Sequence, residues 1–336
     1  MQAAIYGLEG LALSDEERSF FRDSEPAGFI LFKRNCGDPG QVLRLTDSLR
    51  DLTGRADLPI LIDQEGGRVA RMRPPEWPAF PAAERFAELY ALAPSSAIEA
   101  VRSNARAIAL TLRAGGLNVD ALPLLDVRQE GASDIIGDRA LGSAPMQVAA
   151  LGRAVLDGLA SAGVVGIVKH MPGHGRALVD SHKELPVVPA RAEELESDLE
   201  PFERLASAPM GMTAHVVYTA WDPDRPASLS PTVIGDIIRG RIGFDGFLMS
   251  DDLGMEALQG DFESRAAGVV AAGCDAALHC SGKMEEMVAV AKAVPRLSHE
   301  GEARLARAMA VTLVEDHEGP TFAEAVAKRD ELLALV

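Results

Sequence analysis

The chain has 336 residues, enough for two ordinary domains or for one large α/β barrel, which commonly runs to about 250 residues or more. Its 50 acidic against 33 basic residues leave a formal net charge of −17. That charge disfavours nucleic acid and anionic membrane surfaces as partners and suits a small substrate gripped locally.

In chain order, the opening MQAAIYGLEGLALSDEERS has neither a basic n-region nor a long apolar h-region, so no secretory signal is read. No run approaches the roughly 20 apolar residues of a membrane span, and Val269 to Leu278 is broken by Asp275. A soluble, cytoplasmic protein is expected. Short apolar runs then alternate with longer helical patterns, which is the signature of βα units around a parallel sheet. The candidate strands are Ala3 to Tyr6, Gly28 to Phe32, Pro59 to Ile62, Asn118 to Pro123, Val165 to Val168, Gly211 to Thr213, Gly246 to Met249 and Cys274 to Leu278. Eight such units predict a single (β/α)8 barrel of the TIM type over residues 1–336, with some irregular strands.

Helix starts fall between these runs. Ser14-Asp15-Glu16-Glu17 reads as a capping box, and Ser96-Ala97-Ile98-Glu99 repeats the pattern in a helix that stops at Gly115-Gly116. A further helix begins near Ser143, with Val148, Leu151, Val155 and Leu159 along one face as core. From 298 to 336 the pattern is helical, with Leu305, Met309, Leu313 and Val314 on a plausible face, and predicts an extension covering the outside or bottom of the barrel. Cys36, Cys274 and Cys280 are an odd set without metal-type spacing, so buried free thiols are expected.

In a parallel barrel the active site lies at the C-terminal ends of the strands. Polar residues follow five of the apolar runs: Asp63, Asp126, Lys169 with His170, His215, and Asp251 with Asp252. A carboxylate there costs several kcal/mol unless paired, so packing alone does not explain the series. Each residue keeps a structural alternative. Asp63 could cap the turn at Gly66-Gly67, Asp126 could hold backbone amides, and Asp252 could cap a helix beginning near Leu253. Arg139 could pair with Asp138, although its guanidinium fork suits vicinal hydroxyls or carboxylates.

The densest cluster is KHMPGHGRALVDSH at residues 169 to 182, which holds three of the chain's seven histidines. Lys169 and His170 end an apolar β-branched run, and Pro172, Gly173 and Gly175 then break regular structure to leave a mobile loop. His174 between two glycines reads first as a loop-shaping residue. Asp180 and His182, two apart, face the same way if the segment is extended. An aspartate beside an imidazole selects its tautomer and stabilises its cation, as an acid/base requires.

Seven strings in this order and spacing resemble the family 3 glycoside hydrolases, specifically the single-domain bacterial β-N-acetylglucosaminidases of peptidoglycan recycling. They are GFILFKRN (28 to 35), LIDQEGGRVARM (61 to 72), GLNVDALPLLDV (116 to 127), IIGDRALG (135 to 142), KHMPGHG with DSHKELP (169 to 186), MTAHVVYTAWDPDRPASLSP (212 to 231) and MSDDLGM (249 to 255). The resemblance implies Asp251 as catalytic nucleophile and His182 as acid/base assisted by Asp180. It further implies that Asp63, Arg139, Lys169 and His170 grip the sugar. The implied substrate is a small carbohydrate or muropeptide, cleaved with retention through a glycosyl-aspartate, with no cofactor, metal, membrane or obligate protein partner. Met171, Arg176-Ala177 and Gly254 depart from the common family pattern and bear on leaving-group preference. The same Asp/His apparatus could instead pass the glycosyl group to phosphate. A metal-dependent hydrolase is disfavoured because neither an HxH pair at a strand end nor an HExxH helix is present. Intact Asp180, His182 and Asp251 argue against a non-enzymatic sugar-binding protein.

Overall fold

The eight apolar runs become eight parallel strands closed into a barrel in the computed structural model, which describes residues 1–314 and 317–336. The strands are β1 (Gln2–Gly7), β2 (Pro26–Leu31), β3 (Ile60–Ile62), β4 (Val119–Asp120), β5 (Val165–Met171), β6 (Met210–Thr213), β7 (Phe247–Asp252) and β8 (Ala276–His279). Each pairs with its neighbours in sequence, and β1 closes the ring against β8 with Ala4 opposite Ala277 and Tyr6 opposite His279. The expected (β/α)8 architecture is the observed one.

Alternation of side chains divides the apolar residues into two layers. Ile5, Leu61, Val165, Ile167, Phe247 and Met249 pack together in the lumen, whereas Tyr6, Ile60, Ile62, Val168 and Leu248 join the layer beneath the helices. The strand tops therefore have a fixed parity. A polar residue two positions beyond a lumen residue continues into the barrel mouth.

The outer helices are α1 (Asp15–Ser24), α2 (Pro39–Thr53), α3 (Ala83–Leu92), α4 (Pro94–Ala114), α5 (Pro145–Ala160), α6 (Ala192–Arg204), α7 (Phe262–Ala272), α8 (Met284–Ala293), α9 (His299–Met309) and α10 (Phe322–Leu333). A π-type helix, Val233–Arg241, fills the interval between β6 and β7. Ser14 and Glu17 form the expected capping box of α1. The second expected box does not form: α4 starts at Pro94, which needs no N–H partner at the first helical position, and so Ser96 falls inside the first turn. Pro145 starts α5 in the same way, two residues after Ser143, and Val148, Leu151, Val155 and Leu159 are buried.

The C-terminal segment closes the bottom of the barrel. Leu305, Ala308 and Met309 of α9 pack into the lumen cluster, with Ser298 capping the helix through the Gly301 amide. Leu313 and Val314, expected on the same face, are instead 57% and 48% exposed because the helix gives way to a 3-10 turn after Met309. Residues 315 and 316 of the expected extension lie outside the described residues. Beyond them α10 packs on α4, where Arg329 donates to Asn104 at 3.1 Å. Among the described residues no helix is long and apolar enough to cross a membrane. The three cysteines are free thiols, with Cys274 and Cys280 buried and Cys36 half-buried.

Candidate active site

A cavity of about 430 Å³ opens at the C-terminal ends of the strands. Asp63, Lys169 and Asp251 stand two positions beyond Leu61, Ile167 and Met249, so strand parity carries all three into it. Arg139, His170 and His182 line it as well, and Asp180 sits behind His182.

The deepest part is a cluster of paired charges. Lys169 Nζ lies 2.7 Å from Glu65 Oε1 and 3.2 Å from Asp63 Oδ1. Arg139 grips Glu65 with two bonds of 2.8 Å, and Arg71 donates to Asp63 at 2.8 Å. Burial works to raise the Asp63 and Glu65 carboxyls, but Lys169 with Arg71 and Arg139 holds both below the usual carboxylate range. Burial likewise works against the Lys169 ammonium, and Glu65 and Asp63 keep it charged. These groups are oriented before any ligand arrives.

Glu65 and Arg71 did not emerge from the sequence reading. The signal for Glu65 was present, since it stands two residues beyond Asp63 and shares its parity. Arg71 is brought back by a hairpin in which Gln64–Gly66 pairs with Val69–Ala70. Gly66 and Gly67 turn that hairpin at φ of 94° and 55°, where a Cβ on Gly66 would lie 2.3 Å from the Pro81 carbonyl oxygen. The turn explains both glycines. Asp63 is thus a partner of Arg71 and Lys169, not a turn cap. Arg139 pairs with Glu65, while Asp138 pairs with Arg68 at 2.7 Å.

Asp126 is fully buried and has the amide-holding role. Its Oδ1 accepts from the backbone N–H of His170 at 3.2 Å and of His174 at 2.7 Å, and its Oδ2 lies 2.8 Å from His170 Nδ1. Burial would raise this carboxyl, but His170 and these amides hold it at about 2. His215 is also buried, between Ser228 Oγ at 2.7 Å and the Asp252 carbonyl at 3.0 Å. Burial pushes its pKa down, which favours the neutral ring.

Asp251 Oδ1 accepts from the Asp252 N–H at 2.8 Å. Burial would raise its carboxyl, but His170, His215 and that amide hold it below the usual carboxylate range. It lines the cavity as an ionised carboxylate. Asp252 is not a helix cap: α7 starts at Phe262 under Asp261, and Asp252 Oδ1 takes the Gly254 and Cys280 amides, tying β7 to the end of β8.

The loop after β5 is not uniformly open. Residues 171–175 are buried, and His174 Nε2 lies 3.1 Å from Ser181 Oγ. Further on, Asp180 Oδ1 accepts from the backbone N–H of His182 and from its Nδ1, both at 2.9 Å. With Nδ1 engaged, the Nε2 of His182 is left for proton transfer at the cavity mouth. Among the described residues no group of three or more His, Cys, Asp or Glu is arranged to hold a metal ion.

A carboxylate and a carboxylate-oriented imidazole across a polar pocket suit double displacement at an acetal carbon. The chain is also similar to known proteins. The Glycosyl hydrolase family 3 N terminal domain matches residues 2–312. A Beta-hexosaminidase of Alkalilimnicola ehrlichii is 41% identical over 308 residues, 90% of this chain and 87% of that protein. One from Methylococcus capsulatus is 39% identical over 282 residues, 82% of each. NagZ from Neisseria gonorrhoeae in complex with N-trifluoroacetyl-D-glucosamine superposes with a TM-score of 0.89 at 31% identity, over 99% of this chain and 98% of that one. A glycoside hydrolase family 3 beta-N-acetylglucosaminidase from Paenibacillus sp. gives 0.85 at 31% identity over 98% of this chain, which spans 66% of that protein's length. On a family match spanning the whole barrel and relatives aligned over most of both lengths, the chain belongs to glycoside hydrolase family 3.

Proposed function

We propose that this enzyme, a glycoside hydrolase of the β-N-acetylhexosaminidase class, is a retaining exo-β-N-acetylglucosaminidase. Its proposed substrates are muropeptide fragments of the GlcNAc-1,6-anhydroMurNAc type, from which it removes the terminal GlcNAc. One observation carries the reading: Asp251 and His182 line the same cavity, whose inner wall is the Asp63, Glu65, Lys169 and Arg139 cluster. Met212 and Leu278 of the packed lumen line the same cavity, and a pocket backed by a filled barrel suits a chain end, which favours exo cleavage. Relatives named Beta-hexosaminidase and the N-trifluoroacetyl-D-glucosamine complex of NagZ support a 2-acylamino sugar.

In the first step Asp251 Oδ2 bonds to the anomeric carbon as the glycosidic C–O bond breaks, and the leaving oxygen takes a proton from His182 Nε2. In the second step His182 Nε2 removes a proton from water, the water oxygen bonds to the anomeric carbon, and the bond to Asp251 breaks. Two inversions give net retention. Asp63, Arg139, Lys169 and His170 hold the sugar hydroxyls throughout, because their own charges are already balanced and need no rearrangement. Asp180 keeps the His182 tautomer and stabilises its cation.

The test is to trap the intermediate with a fluorinated 2-acetamido-sugar substrate and locate the adduct by intact mass and peptide mapping. An adduct on Asp251 is expected, and one on another residue would overturn the assignment. Phosphorolysis is the competing outcome of the same two displacements. Turnover of an aryl N-acetylglucosaminide with and without phosphate distinguishes them, since hydrolysis yields no sugar phosphate.

A further inference from the structure

The loop from β5 to α6 divides into a packed half and an exposed half. In the packed half the backbone at Gly175 runs against Val127, where a Cβ would lie 1.9 Å from a carbonyl oxygen. Tyr218 donates to the Gly173 carbonyl at 2.8 Å, and Ser133 N–H donates to the Ala177 carbonyl at 2.9 Å. After Ala177 the chain emerges, with Leu178 exposed and then Asp180 and His182.

Arg176 stands at the division and reaches away from the cavity toward α6. Its Nε donates to Asp198 Oδ2 at 2.6 Å, and its Nη2 to the Glu194 carbonyl at 2.8 Å and Ser197 Oγ at 3.0 Å. Asp198 is 1% exposed, and its Oδ1 has no hydrogen-bond partner. A buried acid on a helix costs heavily without a cation, and the loop supplies that cation. The fixed half is linked onward to the arm. His174, two residues before Arg176, holds Ser181, whose carbonyl also accepts from the Ala257 N–H at 3.3 Å. Ser181 is the residue before His182.

We propose that Arg176 and Asp198 are positioning residues, a latch between loop and α6 that sets where the His182 arm springs from the barrel. The proposal rests on His182 being the acid/base. Neither latch residue lines the cavity, so the sugar grip and Asp251 are untouched by its loss. What changes is the spread of positions open to His182. Only steps that need its proton are then slowed, and misplacement by about 1 Å can cost up to about 100-fold.

The experiment compares kcat/KM for an activated aryl N-acetyl-β-glucosaminide with that for an unactivated alkyl one. It uses the wild type, His182→Ala, Arg176→Ala, Arg176→Lys and the double variant Arg176→Ala with Asp198→Ala. The double variant leaves no lone buried carboxylate and so protects the measurement from a folding defect. Both it and Arg176→Ala are expected to lose roughly tenfold on the unactivated substrate and under about twofold on the activated one. Arg176→Lys, which keeps the charge but loses the fork, is expected to fall between. An equal loss on both substrates, or none on the unactivated one, would overturn the latch. If His182→Ala itself shows no leaving-group bias, the acid/base reading fails instead, so the two failures are distinguishable.

Discussion

Lys169 and His182 belong to one loop-and-strand segment, yet the first side chain is 3% exposed and the second 61%. The Lys169 cluster is buried, and each charge in it is matched by one on another strand or turn before a sugar arrives. The Asp180–His182 pair sits on an exposed turn, where Asp180 Oδ1 takes both the backbone N–H and the ring Nδ1 of His182. The contrast fits the two roles proposed for these regions. Gripping a sugar needs donors that do not reorganise, whereas delivering a proton to a departing oxygen needs a group that can approach and withdraw.

The largest expected effect belongs to neither region. Asp251→Ala should lower kcat by about 10⁴-fold or more while the circular dichroism spectrum keeps its native form, because the change removes the proposed nucleophile and leaves the apolar side chains of the barrel in place. Appreciable turnover in that variant would place the nucleophile elsewhere. Next, His182→Ala should cost about 10²- to 10⁴-fold in kcat/KM for unactivated leaving groups and far less for activated aryl ones. Equal losses would merge the two regions into one function.

Stability should separate them in the opposite sense. Glu65→Ala leaves Lys169 and Arg139 buried beside an absent carboxylate, and should cost about 3–5 kcal/mol in urea unfolding. Asp180→Ala, on the solvated arm, should cost under about 1 kcal/mol. The last effect is on acid stability. Asp126 is held down from 3.8 to about 2 in the folded protein, so its contribution is fully present above the unfolded value. That contribution is lost as pH falls from about 4 toward 2. Asp126→Asn should flatten this part of the acid limb, followed by tryptophan fluorescence, and an unchanged slope would mean that the His170 and His174 amides do not depend on its charge.

Much of the site was legible because strand periodicity is a local property. Apolar runs that alternate between lumen and helix layer locate the strand tops, and Asp63, Lys169 and Asp251 follow from counting two beyond the last lumen residue. The same count would have found Glu65. Arg71 was not countable, since it reaches the site by a hairpin whose return depends on Gly66 and Gly67 closing against Pro81 and Ala82. The Ser14 box of α1 forms as read, but two other cap assignments failed for a related reason. Ser96 has a good capping pattern, but Pro94 begins the helix earlier, and Asp252 resembles an N-cap while its carboxylate serves β8.

The division between sequence and tertiary structure falls at the pairing of charges. Which residues form strands, which polar groups stand at their ends and where the loop breaks are set by propensity, parity, proline and glycine within a few neighbours. Which charge meets which is decided by closing the ring. Arg139 has Asp138 beside it in sequence but takes Glu65, 74 residues away, and Lys169 reaches Asp63 across 106. A buried carboxylate is tolerated only with a cation at hydrogen-bond distance, and only the closed barrel brings those strand ends within reach.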